Sequence, residues 1–204
     1  MDDIAILPLA LTVMLGPQIL VGMLLITRPD AIKSSLIYIS TLLLTLIATT
    51  SIYYFLVQSI DFQNFSVGGR PALKYILVAL FIFLIIKSFV TRNKITEPPK
   101  WMTGLATSSY KKIALIALSL IAFMPTDIVI AFSVGNILNQ NSSSLLGAIP
   151  FFAAVFFIAS VPLLLYFSLG SKASTTLAKV NAWLNTHGYV INIIVLVFFI
   201  YLLL

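Results

Sequence analysis

Cysteine is absent from the 204 residues, which excludes a structural disulfide, a thiolate metal site and a thiol redox relay. A single histidine, His187, leaves no basis for a multi-His metal site. Charge is scarce as well: Asp, Glu, Lys and Arg make up 9% of the chain, whereas 60% is hydrophobic. No soluble core needs so much apolar surface, so a soluble globular domain is excluded and the bilayer must be the solvent. Also missing are a Gly-x-Ser-x-Gly elbow, a His-Glu-x-x-His pair, paired intramembrane aspartates and a phosphate-binding loop, so the chain is not expected to be an enzyme. No cofactor is expected beyond a coupled proton or cation.

What is there is a series of apolar runs. Stretches long enough to cross roughly 30 Å of hydrocarbon as helices lie near 4–26, 36–57, 72–90, 113–138 and 145–169, and a sixth runs from 189 to the end. The expected fold is therefore an all-α integral membrane protein with six transmembrane helices. The first run is too long for a signal-peptide core, lacks a basic leader and follows Asp2 and Asp3, so it is read as retained.

The net charge of +6 sits in short connections, not on a basic surface interleaved with aromatics, so no nucleic-acid partner is expected. Arg28 and Lys33 follow the first run, Lys87, Arg92, Lys94, Lys100, Lys111 and Lys112 cluster around the end of the third and the connector behind it, and Lys172 and Lys179 follow the fifth. Only Arg70 and Lys74 remain for the opposite face. By the positive-inside rule the ten-residue side is cytoplasmic and both termini are outside. The expected location is the cytoplasmic (inner) membrane, crossed several times.

The connector 91–112, with Pro98-Pro99, Trp101 and Tyr110-Lys111-Lys112, reads as a cytoplasmic loop between two three-helix halves, 1–90 and 113–204. Residues 171–187 place Leu177, Val180, Trp183 and Leu184 at helical spacing, as an interfacial amphipathic helix would. Three spans on either side of the connector make the second half enter the membrane from the opposite face, the arithmetic of an inverted repeat.

One pair of positions supports that repeat. Span one carries Gly16-Pro17-Gln18 and span four carries Pro125-Thr126-Asp127, each proline a little over halfway along the first helix of its half. A mid-helix proline frees carbonyls that lipid cannot satisfy, and matched interruptions point to a midplane binding site. Gly16, Pro17, Gln18, Pro125, Thr126 and Asp127 are thus the candidate substrate- or ion-binding residues. Simple kinking for packing is the other reading of the two prolines, and it also accounts for Pro150 and Pro162.

Asp127 is the sole acidic residue deep in any run, and at that depth it must be paired, protonated or hydrated. It is either a coupling or substrate-contact site, or an N-terminal cap on the helix resumed after Pro125. Thr12, Gly22, Ser133 and Gly135 accompany the breaks, as close helix approach or a polar path requires. Lys74 and Lys87 can snorkel from the ends of span three, Arg28-Pro29-Asp30 reads as a basic turn with gating as a minor option, and His187 reads as a solvated cap.

These features, together with Pro98-Pro99-Lys100-Trp101-Met102, Ser160-Val161-Pro162-Leu163 and the KVNAWL run from Lys179 to Leu184, resemble the LysE exporter superfamily, most closely its GAP, or Sap, lipid-addressing branch. The resemblance covers nearly the whole chain. It implies secondary export of an amphiphile, lipid component or amino-acid-like substrate, with membrane lipids as partners and a homodimer permitted. A non-transporting, lipid-binding accessory subunit of an export machine is the alternative. Many relatives carry Asn-Pro-Lys where this chain has Met124-Pro125-Thr126 followed by Asp127, a reversal of local charge.

Overall fold

The computed structural model describes residues 6–14, 17–59, 71–91 and 104–169, and the helical positions His187, Tyr189, Val190, Ile193, Val197 and Ile200. Gly16, most of the connector and the interfacial stretch 171–186 lie outside them. Every regular element among the described residues is a helix: α1 (Leu7–Met14), α2 (Pro17–Leu25), α3 (Ala31–Ser59), α4 (Pro71–Val90), α5 (Tyr110–Phe123), α6 (Pro125–Gln140) and α7 (Ile149–Leu169), with 3-10 turns at Gly104–Thr107 and Leu145–Ala148. The chain falls into two compact units, residues 1–60 with 98–178, and residues 61–97 with 179–204. In the second, α4 bears an exposed Lys87 near its end, and the rings of His187 and Tyr189 stack at 6.2 Å.

In the first unit the two proline-bearing runs are not single helices. Helices α1 and α2 meet at 62°, and α5 and α6 at 64°. The second bend is written in the backbone at Met124, whose φ of −73° and ψ of 126° are extended. A residue that precedes proline is driven out of the helical region by the proline ring, so α5 stops there. Pro125 then opens α6, where its missing N–H has no partner to lose. Pro150 stands likewise in the first turn of α7, whereas Pro162 is inside it.

Among the described residues two unbroken stretches, Ala31–Ser59 and Leu145–Ser168, are long and apolar enough to cross a membrane, and up to four crossings result if each bent pair is one span. Hydroxyls within these helices bond to their own backbone one turn earlier, as Thr45 does to Thr41, Ser51 to Ile47, Ser133 to Val129 and Ser160 to Phe156. Ser133, a candidate for a polar path, is thereby accounted for locally. Outward faces carry exposed Leu44, Ile52 and Phe55 on α3 and Phe156, Phe157, Leu164 and Phe167 on α7, surface suited to hydrocarbon.

The long helices exchange partners. Helix α3 lies along α5 and α6, while α7 lies along α1 and α2. Helix α3 runs parallel to the α5–α6 pair: Lys33 Nζ stands 4.5 Å over the Tyr110 ring at one end, and Tyr54 meets α6 at the other. There Asn139 donates to the carbonyls of Tyr54 and Gly135, both at 3.0 Å, and the Tyr54 hydroxyl donates to Ser143 at 3.1 Å. A Cβ on Gly135 would lie 2.8 Å from the Tyr54 nitrogen, so only glycine admits this crossing. Gly22 receives the Pro162 ring, 3.2 Å from where its own Cβ would stand.

Candidate functional site

The two breaks bring Gln18 and Asp127 together. Gln18 is the second residue of α2 and Asp127 the third of α6, so each projects from the first turn of a half-helix. The Gln18 side-chain amide donates to Asp127 Oδ2 at 2.6 Å and also approaches Met124 Sδ at 3.6 Å. Gln18 is 2% and Asp127 1% exposed, which removes this pair from bulk solvent. Both half-helices present the positive end of their dipole here, favouring a carboxylate.

Asp127 Oδ1 and Gln18 Oε1 have no hydrogen-bond partner among the described residues. The N-cap position of α6 is Met124, with no side-chain cap bond. The carboxylate therefore reaches across to α2, and the capping geometry considered for it is not the one adopted. What the pair offers is two buried acceptor oxygens, a surplus that a proton, a hydroxyl or an ammonium group can satisfy.

The other expected residues divide. Pro17 opens α2 and is half-buried, while Pro125 and Thr126 are exposed on the far side of the α6 first turn and take no part in the bond. Gly16 lies outside the described residues. Thr12 is buried. Gly22 and Gly135 serve close helix approach.

Tyr38 escaped the sequence reading. It is 1% exposed, and its hydroxyl donates to the Gln18 backbone carbonyl at 2.8 Å, tying α3 to the start of α2. The signal was a phenol in an otherwise aliphatic stretch, which must find a partner when buried. Ser34, Ser35 and Thr50 on α3 are also buried, the last two with hydroxyls lacking a partner among the described residues.

A second polar cluster lies at the α2–α3 turn. Arg28 forks onto Asp30, Nε to Oδ1 at 2.8 Å and Nη2 to Oδ2 at 3.2 Å, while Nη1 donates to the carbonyls of Leu105 and Ser108 at 2.7 and 2.9 Å. The bond to Arg28 holds the Asp30 carboxyl well below the usual carboxylate range, and Asp30 in turn holds Arg28 above its ordinary value. Both stay charged. With Lys33 over Tyr110, the turn is fastened to the segment that leads into α5.

A family model described as Sap, sulfolipid-1-addressing protein, matches residues 6–204. No curated protein and no solved structure matches the chain.

Proposed function

The chain belongs to the Sap, sulfolipid-1-addressing, family, and from that premise we propose that it is a secondary exporter moving an amphiphile outward across the cytoplasmic membrane by alternating access. As a membrane protein of a lipid-addressing family, its first candidate cargo is a lipid component with a polar head, with a smaller amino-acid-like substrate next. The wider LysE-type reading, six spans in two inverted repeats with both termini outside, belongs to the same proposal. The exchange of partners between α3 and α7 supports it, since related halves that interlock would each place their long helix against the other's broken span.

The observation that carries the proposal is the buried Gln18–Asp127 bond, 2.6 Å long, between the first turns of two half-helices. A lone carboxylate in that position costs several kcal/mol unless something compensates it. Gln18 supplies part of that compensation, and two acceptor oxygens remain. Asp127 is thus the group that exchanges a proton or contacts a donor on the substrate head during the cycle.

Comparative lipid and metabolite profiling, inside cells and outside, of a deletion strain complemented with wild type or Asp127→Asn tests this. An unmodified amphiphile or amino acid retained inside in both the deletion and the mutant supports export and identifies the cargo. Normal export by Asp127→Asn refutes the role given to the carboxylate. Co-purification with an export machine, together with wild-type behaviour of that mutant, would favour a lipid-binding accessory subunit.

A further inference from the structure

Two broken spans that must move against each other are fastened at two levels, through Gln18 and Asp127 in their middle and through Arg28 at one end. The second fastening is built from more than a turn requires. A turn after α2 needs only its own backbone bonds, and it has them: Thr27 N–H to Leu24, Arg28 N–H to Leu25 and Ala31 N–H to Arg28, each at 3.2 Å. Within the turn the Arg28 side chain adds its fork onto Asp30. Its remaining edge reaches a segment 77 and 80 residues further on, the Leu105 and Ser108 carbonyls.

Those carbonyls stand at and just beyond a 3-10 turn, Gly104–Thr107; the Leu105 oxygen already accepts the Ser108 N–H at 3.2 Å, and its second lone pair takes the guanidinium. A guanidinium suits the task because its planar fork can serve a carboxylate with one edge and carbonyls with the other. Asp30 aims it. Arg28 and Asp30 side chains are 9% and 29% exposed, so the cluster lies at a polar boundary, and immediately inside it on α3 are the buried Ser34 and Ser35.

We propose that Arg28 is the latch of a cytoplasmic gate: it holds the α2–α3 turn against residues 105–108, and its release admits solvent and cargo toward Ser34 and, beyond it, the Gln18–Asp127 pair. The orientation and the moving halves rest on the exporter reading above. The latch itself is tested without any cargo. It predicts that the state described here is closed at this end, and that opening requires Arg28 to leave both carbonyls together.

The absence of cysteine makes the test direct. Ser34→Cys, a near-isosteric change under the latch, is labelled in inside-out vesicles with a membrane-impermeant maleimide, and Thr50→Cys, buried about 24 Å further along α3, serves as control. A closed gate reacts only through a minor open population, so Arg28→Ala should raise the Ser34→Cys rate about tenfold or more, with Arg28→Lys in between and Thr50→Cys unchanged. Equal rates in wild type and Arg28→Ala overturn the latch, and so does a rise at both cysteines, which reports general loosening. If Arg28→Ala fails to accumulate, Asp30→Asn, which keeps the guanidinium but removes its aim, takes its place, and an unchanged rate there is equally fatal. Faster labelling combined with normal export by Asp127→Asn would leave the latch standing and remove the exporter mechanism.

Discussion

Gln18 and Asp127 are 109 positions apart in the chain and 2.6 Å apart in space. Their bond joins the half-helix that follows Pro17 to the one that follows Pro125, so each proline break is explained in part by what the other presents. An amide is well matched to this position. It donates to the carboxylate without bringing the full positive charge that lysine would.

Asp127→Asn and Asp127→Leu should therefore separate. Asparagine still offers an oxygen to the Gln18 amide, so that chain inserts and accumulates near wild-type level while export is lost. Leucine strands the amide in an apolar site, and a buried donor without a partner costs about 1–3 kcal/mol. Thermal unfolding in detergent, alongside the export assay, distinguishes them. Equal stability of the two variants would refute the bond's structural contribution.

Tyr38→Phe removes the hydroxyl that donates to the Gln18 carbonyl at 2.8 Å and leaves a filled cavity. A modest loss of stability, about 1 kcal/mol, is expected. The larger effect should be on function, because the backbone that carries the Gln18 side chain is then held by one tether fewer. In a double-mutant cycle, Tyr38→Phe and Gln18→Ala should be non-additive in export. Additivity would make the phenol a packing residue only.

How far the sequence reached follows from these residues. The first five hydropathy runs located the helices α1 to α7 because the hydrocarbon demands continuous apolar length, the sixth lies mostly outside the described residues, and proline located both breaks because its chemistry is local. Asp127 stood out for its cost. Which side of Pro125 would face inward was not legible: Pro125, Thr126 and Asp127 are adjacent, yet the helical turn from one residue to the next leaves the first two exposed and only the third buried. Tyr38 and the Arg28 cluster depend on partners 20 and 77 or more residues away, and no periodicity announces those. The exchange of α3 and α7 between broken spans is likewise a tertiary fact.

Gly135 and Gly22 should respond differently to alanine. At Gly135 the new methyl would meet backbone, 2.8 Å from Tyr54 N and 3.1 Å from Tyr54 Cα. Backbone cannot step aside, so α3 and α6 must separate, at about 1–3 kcal/mol, with the Asn139 bridge weakened too. At Gly22 the nearest atom is Pro162 Cγ at 3.2 Å, a ring carbon that can give by a few tenths of an ångström, so the effect is smaller. Unfolding midpoints of the two variants in one detergent check the order, and a more stable Gly135→Ala would refute the close crossing.

The Arg28–Asp30 fork should be insensitive to pH across the physiological range. Asp30 titrates below the usual carboxylate range because Arg28 bonds its charged form, and Arg28 is raised in turn. A carboxyl with a depressed folded pKa contributes stability that is complete above its unfolded value and is lost as pH falls through the folded one. The groups that bond it, the Arg28 guanidinium and the Tyr110 and Ser34 hydroxyls, are of types that do not ordinarily titrate between about pH 5 and 8. The difference in unfolding midpoint between wild type and Asp30→Asn should accordingly stay constant from about pH 8 to pH 5, and shrink only once the solution is more acidic than an ordinary aspartate's pKa, near 3.9. A difference that collapsed between pH 8 and 5 would mean that some other titrating group, and not the Arg28–Asp30 pair, secures this end of the molecule.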